Sequence, residues 1–138
     1  MKIFKAFIFF LFIAISSNGI AQQFKFKTTS LSVLERGGRY NEWGKWSKPE
    51  PTQLFVTLDF DKNKIIVYSR EIQHYKILEA LPKEVTNVDE INSFLCKNQF
   101  GEQAKASFIV RKDQKNKTQL YIYFTDIVFC YDIVEVTE

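Results

Sequence analysis

Residues 53–68 read QLFVTLDFDKNKIIVY, and this stretch decides the fold class of the chain. An apolar side chain occupies every even position from 54 to 60, and this two-residue period is typical of a β-strand with one buried face. Asp61–Lys64 then interrupts the pattern with turn-forming residues, of which Asn63 tolerates the positive φ of a tight hairpin. The stretch therefore predicts two antiparallel strands joined by a short turn.

The same period recurs along the rest of the chain. Residues 24–27, 105–111 and 119–124 alternate apolar and polar side chains, and a change of parity predicts a bulge near residues 28–30. The last segment, 127–136, is β-branched and aromatic throughout. Because the connections are too short for parallel crossovers, successive strands should be antiparallel. We therefore predict an all-β, single antiparallel meander domain of about eight or nine short strands, forming a small barrel; a two-sheet sandwich is the alternative.

Residues 88–97 are compatible with either a helix or a strand. Asn87 and Glu90 have the spacing of a helix capping box. Residues 92–96, however, contain few strong helix formers, and residues 98–101 would make a natural hairpin turn. We favour a strand.

The amino terminus has the layout of a secretory signal peptide. Lys2 and Lys5 precede an apolar run over residues 6–15, and small residues then lead to the expected cleavage site. The apolar run is only about ten residues, whereas a membrane span needs roughly 20. We therefore predict a signal peptide over residues 1–21 and one β domain over residues 22–138. The domain should be exported to the periplasm or the extracellular space, with no membrane span after cleavage.

The charge of the exported domain is nearly balanced. The full chain has 19 basic and 16 acidic residues, but Lys2 and Lys5 leave with the signal peptide, so that 17 basic residues remain against 16 acidic ones. Nucleic-acid binding normally requires a basic face. We therefore expect no nucleic-acid partner, whereas the composition leaves the oligomeric state open.

Residues 37–46, GGRYNEWGKW, form the densest unusual segment. Its glycines give the backbone freedom, and Tyr40, Trp43 and Trp46 offer flat apolar surfaces with polar atoms at one edge. The functional interpretation is a binding platform for a sugar ring or a hydrophobic molecule. The structural interpretation, which we favour, is that a tryptophan closes one end of the barrel.

Gly44-Lys45-Trp46 resembles the Gly-x-Trp triplet near the start of lipocalins, and Thr125-Asp126 resembles the beginning of their later Thr-Asp-Tyr triplet. The resemblance implies a barrel in which the tryptophan closes one end and the other mouth takes a small hydrophobic ligand. This chain departs from the pattern, because a full strand precedes Trp46, Ile127 replaces the tyrosine, and only one further strand follows. We therefore use the resemblance as a hint about architecture.

Cys96 and Cys130 are the two cysteines, and His74 is the only histidine. Export permits a Cys96–Cys130 disulfide, but both residues lie in apolar strand-like segments where a free thiol is common, so both states are compatible with the sequence. A single histidine excludes a His-rich metal site, and the chain holds no familiar catalytic or phosphate-binding motif.

These observations predict an exported, non-catalytic, barrel-like protein that needs no cofactor or metal. Its partner should be a small hydrophobic ligand, a glycan or another envelope protein. The alternative is a small exported hydrolase or thiol enzyme that uses His74 as the base and Cys96 or Cys130 as the nucleophile.

Overall fold

A computed structural model describes residues 23–39 and 41–136 of the chain. The predicted signal peptide and Tyr40 lie outside the described residues. The strands are β1 (Gln23–Gly37), β2 (Glu42–Trp43), β3 (Glu50–Pro51), β4 (Phe55–Asp59), β5 (Lys64–Val67), β6 (Gln73–Ala80), β7 (Glu84–Val85), β8 (Asp89–Asn98), β9 (Gln103–Arg111), β10 (Lys117–Tyr123) and β11 (Ile127–Glu135), and a 3-10 turn covers Lys112–Gln114.

Eight of these strands form a closed antiparallel barrel. Their order is β1-β4-β5-β6-β8-β9-β10-β11, and β11 pairs back with β1 between Phe26 and Glu35. The other three strands, β2, β3 and β7, are two-residue additions that pair with β1 or β8. The predicted small meander barrel is confirmed, and the fold is not a two-sheet sandwich.

Three local predictions are also confirmed. Asn63 adopts a φ of 53° in the turn between β4 and β5, which supplies the tight hairpin. The register between β1 and β11 shifts between Thr28 and Ser30, where the parity of the sequence changes. Residues 89–98 form a strand rather than a helix, because β6 and β9 provide hydrogen-bonding partners along both of its edges.

Side chains fill the barrel interior, as expected for an eight-stranded barrel. Phe108 stacks on Phe26 with ring centroids 5.5 Å apart and meets Phe94 edge to face at 6.2 Å. The small side chain of Ala106 lies opposite Phe94 on the neighbouring strand β8 and leaves room for its ring. Because the interior is packed as a core, binding surfaces must lie at the ends or on the outer wall. The buried cluster consists of Phe26, Val56, Leu58, Ile65, Val67, Tyr75, Phe94, Cys96, Ala104, Ala106, Phe108, Val110, Leu120, Ile122, Tyr131 and Ile133.

The connections between barrel strands define two ends. At the end that we call upper lie the connections β1–β4, β5–β6, β8–β9 and β10–β11. At the lower end lie the connections β4–β5, β6–β8 and β9–β10. Along each strand, successive side chains point alternately into the core and away from it. The side chains that point away from the core form the outer wall.

Candidate functional site

An open depression of about 840 Å³ lies at the upper end of the barrel. It forms where the connections β5–β6, β8–β9 and β10–β11 come together around the barrel mouth. We call it the upper depression. Its floor is aromatic, and its rim is made of amide and carboxylate side chains.

Three aromatic rings form the floor of the upper depression. The ring of Phe124 lies 6.3 Å from that of Tyr75 and 6.3 Å from that of Phe129, which it meets edge to face. Tyr75 belongs to the buried core, and the two phenylalanines are half-buried against it. The floor is therefore an accessible extension of the apolar interior.

Gln73 satisfies the polar atoms beneath this floor. It accepts a 2.5 Å hydrogen bond from the Tyr75 hydroxyl and donates one of 2.9 Å to Ser69 Oγ. Burial raises the pKa of Tyr75 and of Tyr131, although a hydrogen bond with Gln73 offsets part of the rise for Tyr131. Both phenols therefore stay neutral at physiological pH, and the floor carries no charge.

The rim of the upper depression is acidic. Glu71, Glu102 and Asp126 contribute carboxylates, and the described residues that line the depression include no basic side chain. Asn98 donates a 3.0 Å hydrogen bond to Glu102, and the partly buried Arg36, which does not line the depression, forms a 3.6 Å ion pair with the exposed Asp126. An apolar ligand with a neutral or cationic head matches this rim better than one with an anionic head.

The structure places Trp46 on the outer wall rather than at a barrel end. The connection that carries it runs along β1, since Ser47 donates its backbone N–H to the Val33 carbonyl and Val33 donates its own to Ser47 Oγ, both at 2.8 Å. The indole meets the ring of Tyr121 edge to face at 6.0 Å. The prediction that this tryptophan closes the barrel is therefore wrong, because hydrogen bonds to β1 hold its loop against the outside.

Trp43 lies at the upper part of β1, where the Arg36 guanidinium sits 5.5 Å from the centre of its ring. Trp43 and Trp46 are 42% and 45% exposed, and neither lines the upper depression. Their role in ligand binding, together with that of Tyr40, stays a prediction.

Tyr121 is the centre of a polar and aromatic cluster on the outer wall. Arg111 donates to its hydroxyl at 2.9 Å, and the same guanidinium donates to Asp89 at 2.9 Å and to Gln119 at 3.1 Å. Burial, reinforced by the neighbouring Cys130 thiol, raises the pKa of Tyr121 to about 12. The Tyr121 ring stacks on Tyr123 at 5.8 Å and also contacts Arg111. The ring and the hydroxyl of Tyr121 are therefore already occupied by neighbouring side chains. This arrangement suits a packing role better than stacking on a ligand.

The two cysteines are free thiols on opposite faces of the barrel wall. Cys96 points into the core, whereas Cys130 lies between the inward-facing Phe129 and Tyr131 and so points outward. The disulfide that the sequence permits is therefore not formed. Burial raises the pKa of the Cys96 thiol to about 12, and it also raises that of Cys130. Little nucleophilic thiolate is present at neutral pH.

The structure does not bring His74 together with either thiol. His74 is exposed on the outer wall of β6, while Cys96 points inward on the neighbouring strand β8. Cys130 lies on β11, four strands from β6 in both directions around the closed barrel. Among the described residues, no three His, Cys, Asp or Glu side chains are grouped so that they could hold a metal ion.

Comparison with known proteins gives no relative from which a function could be transferred. No protein-family model, no curated protein and no solved structure matches the chain. In the part of the chain that the structure describes, no helix is long and apolar enough to cross a membrane.

Sequence reasoning missed the residues of the upper depression. Phe124 carried a usable signal, because it ends an alternating strand next to a Thr-Asp turn, and such a residue lies at a barrel rim. The sequence gives no such signal for Phe129, which looks like an ordinary core residue. It gives none for Gln73 either, which looks like a solvated residue at a strand end. Their convergence depends on the closure of the barrel.

Proposed function

We propose that this chain is an exported, non-catalytic β-barrel protein that binds a small hydrophobic ligand with a neutral or cationic head in the upper depression. The observation that carries the proposal is the aromatic floor beneath about 840 Å³ of open space. Small-molecule sites commonly have volumes of roughly 300–1,000 Å³ and predominantly apolar linings. Export is supported by the layout of residues 1–21, and a non-catalytic role by the separation of His74 from both thiols.

The expected affinity is modest because the depression is open. A ligand that buries about 150 Å² of apolar surface on the floor gains about 4 kcal/mol at roughly 25 cal/mol per Å². The loss of translational and rotational freedom on binding costs at least about 4 kcal/mol, so apolar burial alone gives binding no tighter than the millimolar range. Each good polar contact at the rim would tighten binding by up to about tenfold. The head group is thus expected to determine which ligand is selected.

A comparison of ligands with the same chain and different heads tests the proposal. We expect octylamine to bind more tightly than octanol, and octanol more tightly than octanoate, in nuclear magnetic resonance titrations of the exported domain. The shifted amides should lie around Phe124 and Phe129. Strongest binding of octanoate, or shifts confined to the outer wall, would contradict the proposal; the latter would favour a glycan or protein partner.

A pair of surface variants locates the site. Phe100 lines the upper depression and is 75% exposed, so Phe100→Ser should weaken octylamine binding at least threefold with little effect on folding. Phe55 is 55% exposed on the outer wall of β4, so Phe55→Ser is the matched control and should leave binding unchanged. Equal losses in the two variants would show that the ligand does not use the depression.

A further inference from the structure

A row of lysines crosses three neighbouring strands on the outer wall. Lys64 on β5 pairs with Lys76 on β6, and Lys76 pairs with Lys97 on β8. Directly paired residues of antiparallel strands share a face, with Cβ atoms about 4.5–5.5 Å apart. The three ammonium groups therefore project from one side of the barrel, and like charges in this arrangement destabilise the fold.

The described part of the chain provides little compensation for this repulsion. None of the three lysines forms an ion pair with a described residue, whereas Lys117 pairs with Asp132 at 3.1 Å elsewhere on the wall. Asp59 is the strand partner of Lys64, but it is buried and its carboxylate already accepts hydrogen bonds from Gln23 and from two turn amides. The row concentrates positive charge on one face of a nearly neutral domain.

The two depressions beside the row are lined mainly by basic, apolar and neutral polar side chains, and Glu79 is the one carboxylate among their described lining residues. Lys62 and His74 line a depression of about 340 Å³ together with the three lysines of the row. A neighbouring depression of about 510 Å³ is lined by Lys105, Leu78 and Leu95. Leu78 lies at the bulge between Ile77 and Glu79 and is 53% exposed, and Leu95 is 39% exposed. Glu79 is an acidic side chain on this face, where it pairs with Leu95.

We propose that this face docks on the surface of an anionic lipid bilayer. We call it the lysine wall and define it as Lys62, Lys64, Lys76, Lys97, Lys105, Leu78 and Leu95. Clustered lysines are attracted to anionic headgroups, and exposed leucines gain free energy by entering the boundary of the acyl region. A hydrated anionic polysaccharide would match the charge but would offer the leucines no apolar phase. Docking does not depend on ligand binding in the upper depression.

Vesicle co-sedimentation of the exported domain tests the proposal. We expect binding to phosphatidylcholine vesicles that contain phosphatidylglycerol, loss of binding as salt is raised from 0.1 to 0.5 M, and no binding to pure phosphatidylcholine. Each lysine near an anionic surface contributes about a fivefold gain in partitioning. The triple variant K64Q/K76Q/K97Q should therefore bind roughly 100-fold more weakly. The matched control K45Q/K48Q/K115Q makes the same change of net charge at exposed loop positions and should lose less than about fivefold.

Two further measurements separate docking from other effects. Because the lysine row is repulsive, the K64Q/K76Q/K97Q variant should unfold at the wild-type temperature or above, so its loss of binding is not a loss of fold. Leu78→Ser combined with Leu95→Ser should weaken vesicle binding about tenfold while leaving its salt dependence in place.

Three outcomes would overturn the proposal. They are equal binding to neutral vesicles, an equal loss in the control triple variant, and binding to the soluble polyanion dextran sulfate without binding to vesicles. The last result would assign the wall to an anionic glycan. Failure of octylamine to bind, with vesicle binding intact, would refute only the proposed ligand site.

Discussion

Replacement of Thr28 by valine tests how the long β1–β4 connection is fixed to the barrel. Thr28 is fully buried at the bulge of β1. Its Oγ1 accepts hydrogen bonds from the Leu54 backbone N–H and from the Thr52 hydroxyl, both at 2.8 Å. This hydroxyl acts together with the backbone hydrogen bond from the Thr28 N–H to the Leu54 carbonyl at 2.8 Å, and the two fix the end of the connection that carries Trp43 and Trp46.

The magnitude follows from what valine leaves unpaired. Valine has nearly the shape of threonine, so Thr28→Val removes the acceptor without opening a cavity. The Thr52 hydroxyl can turn toward water, but the Leu54 amide is partly buried, and an unsatisfied buried group costs about 1–3 kcal/mol. We expect a loss of about 2 kcal/mol in the free energy of unfolding and, for a domain of this size, a fall of about 10 °C in Tm.

Chemical denaturation of Thr28→Val and Thr28→Ser provides the assay. Serine keeps the hydroxyl and loses one methyl group, which costs about 1 kcal/mol. The Leu54 amide should also exchange with solvent faster in the valine variant than in the serine variant. A larger loss of stability in Thr28→Ser than in Thr28→Val would refute the reasoning, because packing of the methyl group would then outweigh the two hydrogen bonds.

Two other expectations concern acid stability and the thiols. Burial raises the pKa of the Asp59 carboxyl, but the hydrogen bonds from Gln23 and the turn amides outweigh burial and leave it below its ordinary value of 3.8. The resulting stabilisation is complete above that value and is lost as the pH falls through the folded-state pKa. The free energy of unfolding of Asp59→Asn should therefore depend less on pH in the acid range than that of the wild type. The same pH dependence in both proteins would contradict this. Cys96 and Cys130 should react slowly with a thiol reagent at pH 8 in the native protein. Both should react at once in denaturant without prior reduction. Labelling of fewer than two thiols in denaturant would indicate a disulfide.

Local features of the fold could be predicted because each depends on a few adjacent residues. The hairpin at Asn63 follows from turn chemistry, and the bulge at Thr28–Ser30 follows from a change of parity in one strand. The pattern over residues 89–98 fits a helix as well as a strand. The strand forms because β6 and β9 hydrogen-bond to its two edges, and these partners lie outside the segment itself.

The candidate site could not be predicted, because its parts come from three connections. Gln73, Phe100 and Phe124 are far apart in the chain and meet only when the barrel closes. The most conspicuous segment, around Trp46, instead packs against Tyr121 on the outside. A high density of aromatic residues shows that their apolar surface must be buried. It does not show whether that surface packs inside the barrel or against its outer wall.

The sequence by itself determined the class of structure: alternating strands, short turns and one antiparallel domain. These properties depend on side-chain period and composition, which can be counted along the chain. Only the tertiary structure decided that β11 pairs with β1, that the interior is filled, and that Lys64, Lys76 and Lys97 stand in one row. The physical reason is register: hydrogen bonding between strands sets which distant residues face each other, and a period of two cannot specify it.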